Sequence, residues 1–157
     1  MRKALLVLAF CGFAASLSAA DAFVGTWKID IAQSKLAAFR GPIPKESILV
    51  IVEKGTDRES YNKDTYTDGS SVLTKWTVPA QGGTVKFQQT APGTRGDTSI
   101  VTRISGGEDY WTLLEKGKQI EVGHWTVSKD GKTIRGVRKG IDPQGKPYEE
   151  LIVGARQ

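Results

Sequence analysis

One histidine and one cysteine bound the chemistry this chain can do. His124 stands in the alternating stretch Val122-Gly123-His124-Trp125. Nucleophilic catalysis needs a Ser, Cys or Thr beside an activating base. No Gly-x-Ser-x-Gly elbow occurs, and Cys11 lies within an apolar N-terminal run. Zinc would need several His or Cys ligands, and calcium a loop of alternating acids. Neither pattern is present, so the sequence assigns no metal and no cofactor. Haem held by His124 alone is physically possible; a hydrogen-bonded wall residue is the plainer role. Acid–base work by carboxylates stays open at Glu115, Glu121, Glu149 and Glu150. Glu149 and Glu150 are sequential, so on a strand they point to opposite faces and cannot act on one bond.

The aromatic residues suggest binding more than catalysis. Trp76, Trp111, Trp125, Tyr61, Tyr66 and Tyr110 all fall in strand-like segments. Aromatic walls with a few polar groups are the usual composition of a small-ligand pocket. The candidate ligand-binding residues are Tyr61, Trp76, Arg103, Trp111 and His124. The face carrying Ile120, Val122 and His124 is the expected inward face of its strand. Parity does not choose between Tyr110 and Trp111.

These residues must be positioned by strands. After residue 21 no segment sustains a 3.6-residue apolar period. Short alternating or β-branched runs are instead separated by turn residues: Gly55-Thr56-Asp57, Asp68-Gly69, Gln81-Gly82-Gly83, Gly106-Gly107, Lys116-Gly117-Lys118, Asp130-Gly131 and Asp142-Pro143-Gln144-Gly145. About ten strands follow, and tight turns make them antiparallel. Ile48-Leu49-Val50-Ile51-Val52 is apolar on both faces, which predicts a strand buried on both sides. Residues 84–90 predict another strand, and residues 91–97 a Pro/Gly turn. A twisted sheet of that many strands curls and closes, which removes its edges. The expected fold is therefore all-β, an antiparallel up-and-down β-barrel of about 8–10 strands. A two-sheet sandwich is the alternative.

The start of the chain reads as an address. Arg2 and Lys3 precede an apolar region from Ala4 to Ala15, and Ser18-Ala19-Ala20 places small residues before Asp21. That order is the pattern of a secretory signal peptide over residues 1–20, with one domain over 21–157. The apolar run is too short for a membrane anchor. The expected location is periplasmic or secreted. Net charge is +5 at pH 7, two units of which belong to Arg2 and Lys3. The remaining basic residues form no run or stripe, so no nucleic-acid partner is expected.

Val24-Gly25-Thr26-Trp27-Lys28-Ile29-Asp30, followed by Ala32-Gln33-Ser34-Lys35, resembles the opening of small exported bacterial lipocalin-like proteins of uncharacterised function. The later stretches Val127 to Ile134 and Gly140 to Pro147 are similar to theirs as well. The resemblance implies a barrel whose first-strand Trp27 packs at the closed end beside Gly25. It also implies an Arg from a late strand across that indole. Arg138 and Arg156 both lie on late strands, and Arg138 is assigned to the barrel end with Gly25 and Trp27. The implied function is binding of a small hydrophobic or amphipathic molecule. Two alternatives are a non-enzymatic envelope interaction module and a barrel enzyme using a Glu or His124.

Overall fold

The computed structural model describes residues 21–87 and 96–157. The expected leader, Cys11 included, lies outside the described residues, as do the last residues of the expected 84–90 strand and most of the 91–97 turn. Among the described residues there are ten strands: β1 Gly25–Ile29, β2 Glu46–Lys54, β3 Asp57–Thr65, β4 Ser71–Val78, β5 Gly83–Lys86, β6 Thr98–Ser105, β7 Glu108–Glu115, β8 Lys118–Val127, β9 Thr133–Ile141 and β10 Pro147–Arg156. A 3₁₀ turn, Ala38–Arg40, interrupts the long connection between β1 and β2.

All ten strands belong to one antiparallel sheet in the order β4-β3-β2-β1-β10-β9-β8-β7-β6-β5. Sequential neighbours pair except β4 and β5, and β1 joins β10 through Trp27↔Arg156, Lys28↔Ala155 and Ile29↔Gly154. The two ends of the sheet, β4 and β5, come alongside each other, among the described residues without a ladder of hydrogen bonds. The result is an up-and-down barrel with one open seam, not a sandwich.

The first strand explains why one end is shut. Trp27 is 0% exposed and its Nε1 donates to the Phe23 carbonyl at 2.8 Å. Phe23, Leu49, Ile51 and Ile134 pack around it. Arg156 lies across the indole, 4.1 Å from guanidinium carbon to ring centroid. Its three nitrogens donate to the carbonyls of Gly131, Val24 and Ala22, each at 2.6 Å. Gly25 sits at φ +145°, and a Cβ there would overlap Arg156 Nη1. Arg156 thus ties both ends of the barrel domain to the Trp27 plug. Arg138, assigned to this place from the sequence, is elsewhere: it lies towards the opposite end of β9, paired with Glu150.

Two further expectations are corrected. β2 is not buried on both sides, because Ser47, Leu49 and Ile51 face in while Val52 is exposed on the outer face. On β8 the inward side carries Glu121, Gly123 and Trp125, not Ile120, Val122 and His124. The register with β9 pairs Glu121 with Gly140, Gly123 with Arg138 and Trp125 with Gly136. A slip of one residue would reverse every side chain, and the bare glycines hold this register. Trp125 covers Gly136, and Trp111 on β7 covers Gly123, where an added Cβ would overlap the indole. Two indoles therefore lie against glycine backbone along the inner wall, a fit that only one parity allows.

Candidate functional site

The barrel encloses a cavity of about 330 Å³. Its middle is apolar and aromatic: Trp76, Trp111, Trp125, Val101 and Ile152. Strand direction places polar groups at its two ends. β3, β7 and β9 run away from the Trp27 plug, while β4, β8 and β10 run towards it. Arg58 and Asp109 thus belong to the plugged end, and Glu121, Arg138 and Glu150 to the other, here termed the mouth. The 30–45 connection between β1 and β2 crosses the mouth, and Ile31, Leu36, Pro42 and Ile43 line the cavity from it.

At the mouth, Arg40 descends from the 3₁₀ turn into a cluster built by β8, β9 and β10. Its Nη2 meets Glu121 Oε2 and, at 2.8 Å, the Tyr148 hydroxyl. Its Nε donates to Glu150 Oε2 at 2.9 Å. Arg138 Nη2 reaches the same Glu150 oxygen at 2.7 Å, while Glu150 Oε1 accepts the Ala37 amide at 2.7 Å. The Tyr148 hydroxyl also donates to Glu121 Oε2. Glu150 is 0% and Glu121 2% exposed. Burial disfavours the Arg40 charge, yet Glu121 and Glu150 outweigh it and hold the guanidinium firmly protonated. For Arg138, burial and the Arg40 charge together lower its proton affinity, against Glu150 and Glu121. Burial, and the hydrogen bond to Glu121, keep Tyr148 neutral well above its ordinary range.

A second ion cluster lies at the plugged end. Arg58 Nη2 meets Asp109 Oδ2, and Nη1 is 3.4 Å from Asp21 Oδ1. Arg103 meets Asp21 Oδ2, donates to the Ala80 carbonyl at 3.2 Å and stands 3.8 Å from Asp109 Oδ1. Burial pushes the Asp109 carboxyl up, against the opposing pull of Arg58 and Arg103.

The sequence candidates separate between inside and outside. Trp76 and Trp111 line the cavity, and Arg103 belongs to the ion cluster at its plugged end. His124 is on the outer face, stacked on Tyr110 with centroids 4.2 Å apart and bonded through Nε2 to Glu108 at 2.8 Å. Tyr61 is also outside, with Glu59 and Lys75. The polar lining that sequence reasoning misses is Arg40, Arg58 and Asp109, with Tyr148 bonded to Arg40 behind it; Arg138 also lines the cavity, away from the barrel end assigned to it. In sequence Glu150 is only half of an acidic pair; in the structure it is buried, whereas Glu149 is exposed and meets Lys139 at 3.0 Å. The available signal is parity, since Glu121 shares its face with Gly123 and Trp125, and Asp109 with Trp111 and Leu113. Among the described residues, no three His, Cys, Asp or Glu side chains group as a metal site.

No family model matches the sequence. No curated protein sequence matches it either. Among solved structures, the chain is similar to the zebrafish ileal bile acid-binding protein, crystallised in complex with cholic acid. The likeness has a TM-score of 0.54 at 16% identity and covers 87% of this chain and 99% of that one. At such identity it is the backbone that is shared: the chain has the fold of the calycin-type β-barrels, ten antiparallel strands closed but for one seam.

Proposed function

We propose that this protein is an exported carrier that binds one small, partly apolar molecule inside its barrel. The observation that carries the reading is the cavity of about 330 Å³, with aromatic walls between two polar ends. That volume lies within the range of small-molecule pockets. The cholic acid bound to the structural neighbour supports the same reading, because a bile acid is itself amphipathic. The signal-peptide pattern of residues 1–20 supports export, to the periplasm or out of the cell. The guanidiniums, carboxylates and indoles of the wall would supply the contacts to such a ligand.

A second reading, an envelope interaction module, draws on the outer face of β6–β8. Ile100, Ile104, Tyr110 and Val122 are all exposed there.

Native mass spectrometry of protein purified from its own host tests the carrier. The expected result is a mass above that of the bare mature chain, with a small molecule released on activation. A bare mass, together with tryptophan fluorescence unmoved by a broad lipophile set, would overturn the reading. Trp76, Trp111 and Trp125 line the cavity, so an occupant must change their surroundings.

A further inference from the structure

We propose that the cavity selects an uncharged amphipathic molecule bearing a hydroxyl, and that the hydroxyl bridges Glu121 and Arg138 at the mouth. The inference rests on the carrier reading and names the chemistry of its ligand.

Among the described residues, every guanidinium that lines the cavity is already matched. Arg40 meets Glu121 and Glu150, Arg138 meets Glu150, and Arg58 meets Asp109 and Asp21. The four charges of the Arg40 cluster, Arg40, Arg138, Glu121 and Glu150, sum to zero, and Asp64, which lines the cavity from the mouth end of β3, adds a further carboxylate. A carboxylate ligand would either add one uncompensated anion to this balanced cluster or draw an arginine from its partner and leave that buried carboxylate unpaired, and each is costly in a low-dielectric interior. An ammonium ligand would unbalance the cluster in the other direction.

What the cluster lacks is one donor and one acceptor. Glu121 Oε2 takes Arg40 and Tyr148, while Oε1 is buried with no protein partner among the described residues. Arg138 Nε, an N–H on the same wall, is likewise buried and unpartnered. The two residues sit diagonally across the β8–β9 ladder, through the pairs Glu121↔Gly140 and Gly123↔Arg138. Buried polar atoms without partners are rare and call for an explanation. A carboxylate could accept from Arg138 Nε but has nothing to give Glu121. An ammonium could donate to Glu121 but cannot accept. A hydroxyl does both. The plugged end repeats the pattern, with Asp109 Oδ1 and Arg58 Nε both buried and without hydrogen bonds. Both ends of the cavity therefore ask for the same neutral chemistry.

The test compares decanol with decanoate at pH 8, by displacement of a neutral fluorescent probe from the full mature chain. The expected result is decanol binding at least about tenfold more tightly, the scale of one hydrogen bond to a charged group. In Glu121→Gln the cluster gains a net positive charge, and with the amide oxygen kept on Arg40 and Tyr148 an N–H donor replaces the free acceptor, so the ratio of decanol to decanoate affinity should fall by about tenfold. Decanoate binding as tightly as decanol to the native protein overturns the proposal and leaves the carrier reading standing. A ratio unchanged in Glu121→Gln overturns the assignment to Glu121. Should that variant fail to fold, the native ratio decides alone. If neither compound displaces the probe and the native mass is bare, the carrier reading falls and this inference with it.

Discussion

Arg156 lies over the ring of Trp27, 4.1 Å from its centroid, while binding the backbone carbonyls of Gly131, Val24 and Ala22. The two residues are also directly opposed in the β1–β10 ladder. One guanidinium therefore closes the sheet, caps the plug and satisfies backbone acceptors at once. Gly25 is the third member, since its φ of +145° and its lack of a Cβ make room for Arg156. Gly25→Ala should destabilise the fold by about 2–4 kcal/mol, from backbone strain and loss of the Arg156 position together. Urea unfolding followed by tryptophan fluorescence measures this; a change within about 0.5 kcal/mol, ordinary for a neutral surface substitution, would count against the arrangement.

The indole–glycine pairs of the inner wall make a separate prediction. Gly123→Ala places a methyl group against the Trp111 indole. The overlap should cost about 1–3 kcal/mol, as overpacking does. Trp111→Phe in the same background removes the crowded Nε1 edge and should recover part of the loss. The double-mutant cycle reads the coupling directly.

The two mouth arginines should differ in what they contribute. Arg138 is 16% and Arg40 24% exposed, and only Arg40 comes from the connection that crosses the mouth. Arg138→Met should cost about 3–5 kcal/mol, the usual result of stripping one partner from a buried ion pair. Arg40→Met should cost less, about 1–3 kcal/mol, because solvent screens part of its interaction. It should also speed ligand exchange in stopped-flow fluorescence, since Arg40 ties the 30–45 connection to β8 and β10. Equal losses of stability and unaltered exchange would contradict this division of roles.

Glu59 offers a pH test on the outer face. The Tyr61 hydroxyl, then Lys54 and Lys75, hold its carboxyl down at about 2, against an ordinary 4.5. A carboxylate with a lowered folded value stabilises the fold above its unfolded value, and the contribution is lost as pH falls through the folded one. The stability difference between the native protein and Glu59→Gln should therefore be constant above about pH 5 and shrink towards pH 2. A difference that persists unchanged at pH 2 would mean that Glu59 acts by packing and not by charge.

Inside and outside residues should divide in binding. Trp76→Ala and Trp111→Ala should weaken a lipophilic probe by about tenfold or more, on the area each ring presents. His124→Ala and Tyr61→Ala should leave the affinity within about twofold, since both side chains lie outside the barrel. Titrations of the four variants with one probe settle the matter. Loss of binding in His124→Ala would place the ligand on the outer face of β7–β8.

The strand count and the antiparallel pairing were legible in the sequence because each is a local property, whereas the Trp27 plug followed from the resemblance carried by Gly25-Thr26-Trp27. Alternation marks a strand. Asp130-Gly131 and Lys116-Gly117 mark tight turns, and a chain of tight turns admits only antiparallel neighbours. Two-fold periodicity splits a strand into two faces but does not name the inner one. On β8, Ile120 and Val122 are more apolar than Glu121 and Gly123, so hydropathy pointed to the wrong side. The tertiary structure decided it by bringing together residues far apart in the chain. Glu121 is stable inside because Arg40 and Tyr148, 81 and 27 residues away, converge on it. Gly123 and Gly136 are stable inside because Trp111 and Trp125 cover them. The choice of Arg156 over Arg138 has the same origin. Both are arginines on late strands, and only the β1–β10 register places one of them across from Trp27. A charge can occupy an interior position only where its partner is already fixed, and that pairing is set by the closed barrel, not by any neighbour in sequence.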